Sequence, residues 1–389
     1  MTTKKFDVCV SGSGVVARSL ALALSSNGWR VAWACAEQGG QAKAEDIRTY
    51  ALNSRSVALL ERLRIWPALQ SASTPVHDMQ IRGDGRGHLA FSAWQQCVSE
   101  LAWIVDAAAL ERLLGEALKF APHVTVVPPL GEGAPSVDAD LLAICEGKHS
   151  ATRAALGVDF TKADYGHWGV AARLSSGQPH LGVARQWFRS PDVLALLPFH
   201  DPVPGSSYGL VWSMPEARAK DVMALAPAQF EAALKQALDE VDPGASAAVG
   251  PLSLASHVAG WPLALAQAER WSGPGWVLLG DAAHQVHPLA GQGLNLGLAD
   301  VDTLVSTLTE SRQTEPWRTA GDERLLRRYA RRREWPTRAM AGVTDGLLHL
   351  FADDRAPLRE LRNTGMALLD QMSPVKRWLV GRALDVSNK

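Results

Sequence analysis

The stretch from Trp276 to Asp300 has the residue types and spacing to do chemistry: Trp276-Val-Leu-Leu-Gly280-Asp281-Ala-Ala-His284-Gln-Val-His287-Pro288-Leu-Ala-Gly291-Gln292-Gly293-Leu294-Asn295-Leu-Gly297-Leu-Ala-Asp300. Its apolar start reads as a buried strand ending at Gly280-Asp281, where a carboxylate is offered to sugar hydroxyls. Pro288 stiffens the turn that follows. Gly291-Gln292-Gly293 then lets bare backbone approach a flat ligand as a helix begins, and the N–H groups at that start favour negative charge. A tight strand-to-helix turn alone would explain the glycines but not Asp281, Pro288 and Gln292. A second constellation, Gly12-Ser13-Gly14-Val15-Val16-Ala17, fits the dinucleotide fingerprint. Its first glycine makes the turn, its second admits a pyrophosphate, and its small sixth residue lets helix and strand pack closely.

Both constellations need strands and helices to hold them. Asp7–Ser11 reads as a strand, Val15–Ser26 as an Ala/Leu-rich helix stopped at Asn27-Gly28, and Trp29–Cys35 as a second strand. That order is a βαβ unit with parallel strands. Helices are expected around Leu52–Leu63, over Ala107–Phe120 and over Ala228–Glu240. Residues 74–105 alternate as an antiparallel sheet would, Pro128–Ser136 is a turn-rich loop, strands recur at Leu194–Phe199 and Tyr208–Ser213, and the chain beyond Gly293 reads as mostly helical. The length of 389 residues suggests two domains. A net charge of −1 argues against nucleic acid as partner. No window reaches the roughly 18–20 apolar residues of a membrane span, and the first residues lack the apolar core of a signal peptide. The four scattered cysteines read as reduced thiols of a cytoplasmic protein, and most of the 14 tryptophans as core or interface.

The Trp276–Asp300 stretch resembles the second FAD-binding motif of the para-hydroxybenzoate hydroxylase-like flavoprotein monooxygenases. In detail it is similar to the ubiquinone-biosynthesis hydroxylases of the UbiH/UbiF/VisC group, whose pattern runs GDAAH-x-x-HP-x-AGQG-x-NLG. The resemblance spans nearly the whole chain: Asp46-x-Arg48-Thr-x-Ala-Leu-Asn53-x-x-Ser56, Leu194–Pro198, Val211-Trp212-Ser213, Trp261-Pro262-Leu263, Leu347–Phe351 and Leu361-Arg362-Asn363-x-Gly365 all have counterparts. It implies an α/β fold: a discontinuous Rossmann-like FAD domain (1–72, 102–170 and 264–335), an inserted antiparallel substrate domain (73–101 and 171–263) and a helical C-terminal region (336–389). FAD is the implied cofactor, NAD(P)H a transient co-substrate, and the reaction hydroxylation of an aromatic ring with O2. Asp281 would bind the ribityl chain and Pro288 would lie beside the flavin. The N–H groups of Leu294 and Asn295 would face its pyrimidine carbonyl, and Arg48 would sit where nicotinamide meets flavin. Arg48, Pro288, Gly291 and Gln292 are thus the catalytic candidates. Gly12, Ser13, Gly14, Val15, Val16, Glu37, Gly280 and Gly293 complete the cofactor contacts with Cys35 and Glu146. No metal is expected, and His284 and His287 read as hydrogen-bonded scaffold.

The departures from the group's pattern cluster on the adenosine and pyrophosphate side. Cys35 stands where a glutamate usually binds the ribose, with Glu37 two residues on. Ala107 replaces a polar residue at a helix start. Cys145-Glu146-Gly147 replaces Ala-Asp-Gly ahead of Ser150 and Arg153, and little chain remains between Val124 and Asp140 for a β-meander. These changes predict weakened FAD binding and keep an alternative open, a non-catalytic subunit of a quinone-biosynthesis assembly. A flavin-dependent reductase or halogenase on the same scaffold is a third reading, and no Trp-x-Trp-x-Ile-Pro halogenase signature occurs. The expected substrate is a prenylated phenol reached from the inner face of the cell membrane, with Pro374–Leu384 as an interfacial helix carrying Val375, Trp378, Leu379 and Val380 beside Lys376, Arg377 and Arg382.

Overall fold

A computed structural model of the protein describes residues 6–35, 46–83, 87–131, 137–286 and 292–352. The first six-stranded sheet has the order 272–273, 276–278, 139–144, 6–11, 31–34, 124–127. All neighbours are parallel except the hairpin of Ser272–Gly273 with Trp276–Leu278. The inner strands Phe6–Ser11 and Val31–Ala34 are mostly buried, as a helix-covered parallel sheet requires, while the edge strand Val124–Val127 is only half-buried. The helix Val15–Ser26 forms with its expected bounds. It packs, with Ala107–Lys119, Gln292–Thr314 and the start of Glu323–Ala352, into a core containing Val8, Val10, Leu20, Leu24, Leu110, Leu114, Leu304 and Tyr329. Each such aliphatic side chain, fully withdrawn from water, contributes about 1.5–3 kcal/mol.

The second sheet has nine strands. Phe160–Ser176 is central, flanked by Ala259–Ala268 and Ser207–Pro215, and continues through Asp192–Phe199 to Val183–Arg189. Helices Glu216–Met223 and Pro227–Val241 cover it over Trp212, Phe230 and Leu234. The alternating stretch at 74–105 divides. Ser73–Val76 joins Thr49–Leu52 and Ala102–Asp106 in a small antiparallel sheet. Asp78–Arg82 and His88–Ser92 instead extend the nine-stranded sheet, the former pairing in parallel with Val183–Arg189. The architecture is therefore α/β with an inserted, predominantly antiparallel sheet and a helical C-terminal region. Phe160–Ser176 and Ala259–Ala268 run through positions 170 and 264, and Phe160 and Ala268 at their ends pack into the first sheet's core.

Candidate active site

Gly12, Cys35, Glu146 and Gly280 follow the carboxyl ends of the first sheet's strands. Chain order runs outward from 6–11 on one side and resumes at 139–144 on the other, so the reversal falls between those two strands, where open α/β sheets bind ligands. Hydrogen bonds carry the ladder past the strand ends: Gly12 N–H to the Ala34 carbonyl (3.0 Å), Cys145 N–H to Ser11 (2.7 Å) and Leu279 N–H to Ile144 (3.1 Å). Gly12 has φ +130°, and a Cβ there would lie 2.3 Å from the Cys145 carbonyl oxygen, so only glycine fits. Ser13 and Gly14 are exposed. The helix they open has no side-chain cap and no acid in its first turn, and no atom stands within 4 Å of a Cβ built on Gly14. An uncapped helix start with open space before it suits a phosphate. The turn therefore fits the diphosphate of FAD.

The two glycine motifs meet across 264 residues of sequence through Val16. A Cβ on Gly280 would approach Val16 Cγ2 at 3.1 Å, and one on Gly297 at 2.7 Å. Gly280 has φ +59°, and its N–H donates to Asp300 Oδ2 at 2.9 Å. Asp300, wholly buried, also holds His284 Nε2 (2.7 Å) and Arg333 Nε (2.6 Å), and His284 stacks on Trp271. His284 is thus a scaffold residue. Asp281 reaches solvent, yet protein crowds it on most sides. That crowding raises its carboxyl above the ordinary aspartate value, partly offset by attraction to His284, Lys148 and Arg48. Asn295, in the first turn of the helix Gln292–Thr314, is buried. Its Oδ1 accepts from Asn53 N–H (3.0 Å) and Ser56 Oγ (2.7 Å), and its Nδ2 donates to the Ala51 carbonyl (2.8 Å). Gly293 borders open space, and Leu294 is half-buried.

Those bonds bring in the strand Thr49–Leu52, which follows Arg48. Arg48 is held bidentately by Asp46, with Nε 2.8 Å from Oδ1 and Nη2 2.6 Å from Oδ2. Burial raises the Asp46 carboxyl, but the hydrogen bonds and charge of Arg48 outweigh it and hold it below the usual aspartate range. The guanidinium lies 5.8 Å from the Tyr50 ring centroid, and burial pushes the Tyr50 hydroxyl up to about 12. Ala107 N–H donates to the Arg48 carbonyl at 3.1 Å. The polar work at this helix start falls to Asp106, whose Oδ1 caps Ala109 N–H (3.0 Å) and whose Oδ2 accepts from Arg173 Nη2 (2.6 Å). Nothing in the local spacing marks Arg173, which comes from the second sheet.

Cys35, just past the strand Val31–Ala34, is buried in the apolar core. Glu146 turns its carboxylate inward, accepting from Ser11 Oγ (2.5 Å), Ser150 Oγ (2.7 Å), Thr152 Oγ1 (2.5 Å) and Thr152 N–H (3.1 Å). Arg153 lies over the Phe160 ring and donates to the Ala282 carbonyl (3.0 Å), tying this loop to the Gly280–Asp281 turn. Glu37, His287, Pro288, Gly291 and the segment 374–384 lie outside the described residues, and Gln292 is described in its backbone alone.

The chain is similar to known proteins along nearly its whole length. The ubiquinone hydroxylase UbiL of Rhodospirillum rubrum is 27% identical, over 98% of this chain and 90% of its own length. The 3-demethoxyubiquinol 3-hydroxylase of Escherichia coli is 27% identical over 99% of this chain and all of its own. Among solved structures, the p-nitrophenol 4-monooxygenase PnpA of Pseudomonas putida superposes with a TM-score of 0.75 at 17% identity, covering the whole of both chains, and shares the fold. The sequence profile of a family described as "FAD binding domain" matches residues 123–343, more than half of the chain and including the Gly280–Gly297 motif. With the diphosphate turn, Asp281 and the helix start at Gly293 gathered at one sheet end, the chain belongs to the FAD binding domain family.

Proposed function

We propose that the protein is an FAD-dependent monooxygenase that hydroxylates the ring of a prenylated phenol in ubiquinone biosynthesis, using NAD(P)H and O2. The observation that carries this is the lodging of Val16 against both Gly280 and Gly297, which joins two distant glycine motifs into one nucleotide-binding site. The ubiquinone hydroxylases it resembles along almost its full length supply the substrate class. FAD, when bound, supplies hydride acceptance and oxygen activation. The chain's own residues bind and orient. The Gly12–Gly14 turn and the helix behind it take the diphosphate, and Asp281 takes ribityl hydroxyls. The first turn at Gly293, Leu294 and Asn295 offers N–H groups to the pyrimidine edge. Arg48, locked by Asp46, presents a fixed cation for the nicotinamide cofactor.

Among the described residues no helix is long and apolar enough to cross a membrane. Access to a prenylated substrate from a membrane surface is part of the proposal, with Pro374–Leu384 as its contact. Purified protein reconstituted with FAD should show flavin absorbance, oxidise NAD(P)H faster when a short-tailed prenylphenol is added, and yield a product heavier by one oxygen. NAD(P)H consumption that leaves the phenol unchanged would sink the hydroxylase reading.

A further inference from the structure

Arg18 occupies the first helix behind the Gly12–Gly14 turn and is only 5% exposed. Its Nε donates to the Ser13 carbonyl at 2.7 Å and its Nη1 to the Glu111 carbonyl at 3.4 Å. The guanidinium lies 5.5 Å from the Trp33 ring centroid. Trp33 in turn donates Nε1–H to the Gly12 carbonyl at 2.8 Å. The helix Ala107–Lys119 makes room for this arrangement, since a Cβ on Gly115 would fall 2.3 Å from Arg18 Nη1. Among the described residues its partners are two carbonyls and an indole face, none of them a carboxylate. A buried cation without a counter-charge is unfavourable, so an anion arriving nearby would relieve it.

The geometry also aims the turn. In a trans peptide the carbonyl and the following N–H point in opposite directions. Trp33 holds the Gly12 carbonyl inward, which turns the Ser13 N–H outward. Arg18 holds the Ser13 carbonyl inward, which turns the Gly14 N–H outward, and both residues are exposed on that side. We infer that Arg18, set over Trp33, is a binding determinant for the cofactor's diphosphate: it orients two turn N–H groups and places a positive charge directly behind them. It does so in a chain that carries Cys35, not a carboxylate, just past its second strand. The inference rests on the FAD reading of the site.

The test titrates apoprotein with FAD and with riboflavin, which lacks phosphates, following flavin fluorescence for the parent, Arg18→Met and Arg18→Lys, and records apoprotein melting for each. Arg18→Met should weaken FAD by about tenfold or more, the loss of one charge contact worth roughly 1.4 kcal/mol. It should leave riboflavin binding unchanged and the apoprotein melting temperature level or raised. Arg18→Lys keeps the charge but not the planar fork, and should fall between parent and Met. FAD affinity unchanged in Arg18→Met overturns the inference and leaves the site standing. Equal loss of FAD and riboflavin with a lower melting temperature also overturns it, because Arg18 would then only brace the fold. A parent chain that binds no FAD sinks both readings.

Discussion

Glu146 is a carboxylate that the protein itself engages fully at the end of the first sheet. Four donors from Ser11, Ser150 and Thr152 converge on its carboxylate, binding the ends of two neighbouring strands where the sheet order reverses. Burial pushes its carboxyl up, but these hydrogen bonds together win and hold it below the ordinary glutamate value. A depressed folded value gives stability that is fully present above the unfolded pKa of about 4.3 and is lost as pH falls through the folded one. Glu146→Gln should therefore cost about 1–2 kcal/mol at neutral pH for a partly exposed group, and the gap to the parent should close below about pH 4. A melting difference that stays constant from pH 7 to pH 3 would show that the carboxylate's charge is irrelevant. Asp281 has the opposite character, being open to solvent and crowded, with no bonded cation among the described residues. Asp281→Ala should leave the fold intact and weaken FAD by about tenfold or more, the equivalent of one charge-assisted hydrogen bond of roughly 1.5–3 kcal/mol. Retained affinity in an isothermal titration would remove Asp281 from the site.

At the scale of elements, the decisive joint is between the helix Gln292–Thr314 and the segment Thr49–Arg62. Asn295 supplies an acceptor to Asn53 N–H and Ser56 Oγ and a donor to the Ala51 carbonyl, while Asn53 itself caps the helix Ser54–Arg62 through Ser56 N–H at 2.9 Å. Asn295→Ala strands buried polar groups on both sides and should cost about 1–3 kcal/mol, with faster amide exchange at Asn53. Unchanged protection of that amide would mean the clamp is not made in solution. The sequence displays one half of such a joint at a time. Gly12-x-Gly14 and Gly280-Asp281 are legible because a tight turn demands glycine at short, fixed spacing. The helix Val15–Ser26 is legible because Asn27-Gly28 stops it. The pairing of Asn295 with Asn53 and Ser56 bridges 242 and 239 residues, and no local rule relates them. Arg333 is one arginine in the run Arg331–Arg333, and only the three-dimensional packing selects it as the partner of Asp300.

Across the whole molecule, the nine-stranded sheet is tied to the small three-stranded sheet by Arg173, which is 5% exposed on the nine-stranded sheet's central strand. Its Nη2 reaches Asp106 Oδ2 at 2.6 Å and the Asp46 carbonyl at 3.0 Å, and its Nη1 reaches Asp201 Oδ2 at 3.2 Å. One guanidinium thus joins the nine-stranded sheet to a helix cap and to the loop that holds Arg48. The two acids are not equivalent. The Asp106 side chain is 13% exposed and that of Asp201 is 51% exposed, so water screens the second pair and little else screens the first. Removing one partner of a buried pair leaves an uncompensated charge and costs about 3–5 kcal/mol, whereas an exposed pair contributes about 0–1 kcal/mol. Arg173→Leu should therefore lower the urea midpoint strongly, Asp201→Asn barely. The double variant Arg173→Leu/Asp106→Asn should be less unstable than the sum of its parts, because neutralising Asp106 removes the charge that the first change stranded. Because Arg173 also holds the Asp46 carbonyl, its loss should raise the KM for NAD(P)H in the reconstituted enzyme, an effect Asp201→Asn should lack. Strict additivity in the cycle, or equal destabilisation by Asp201→Asn, would show that the tie between the sheets lies elsewhere.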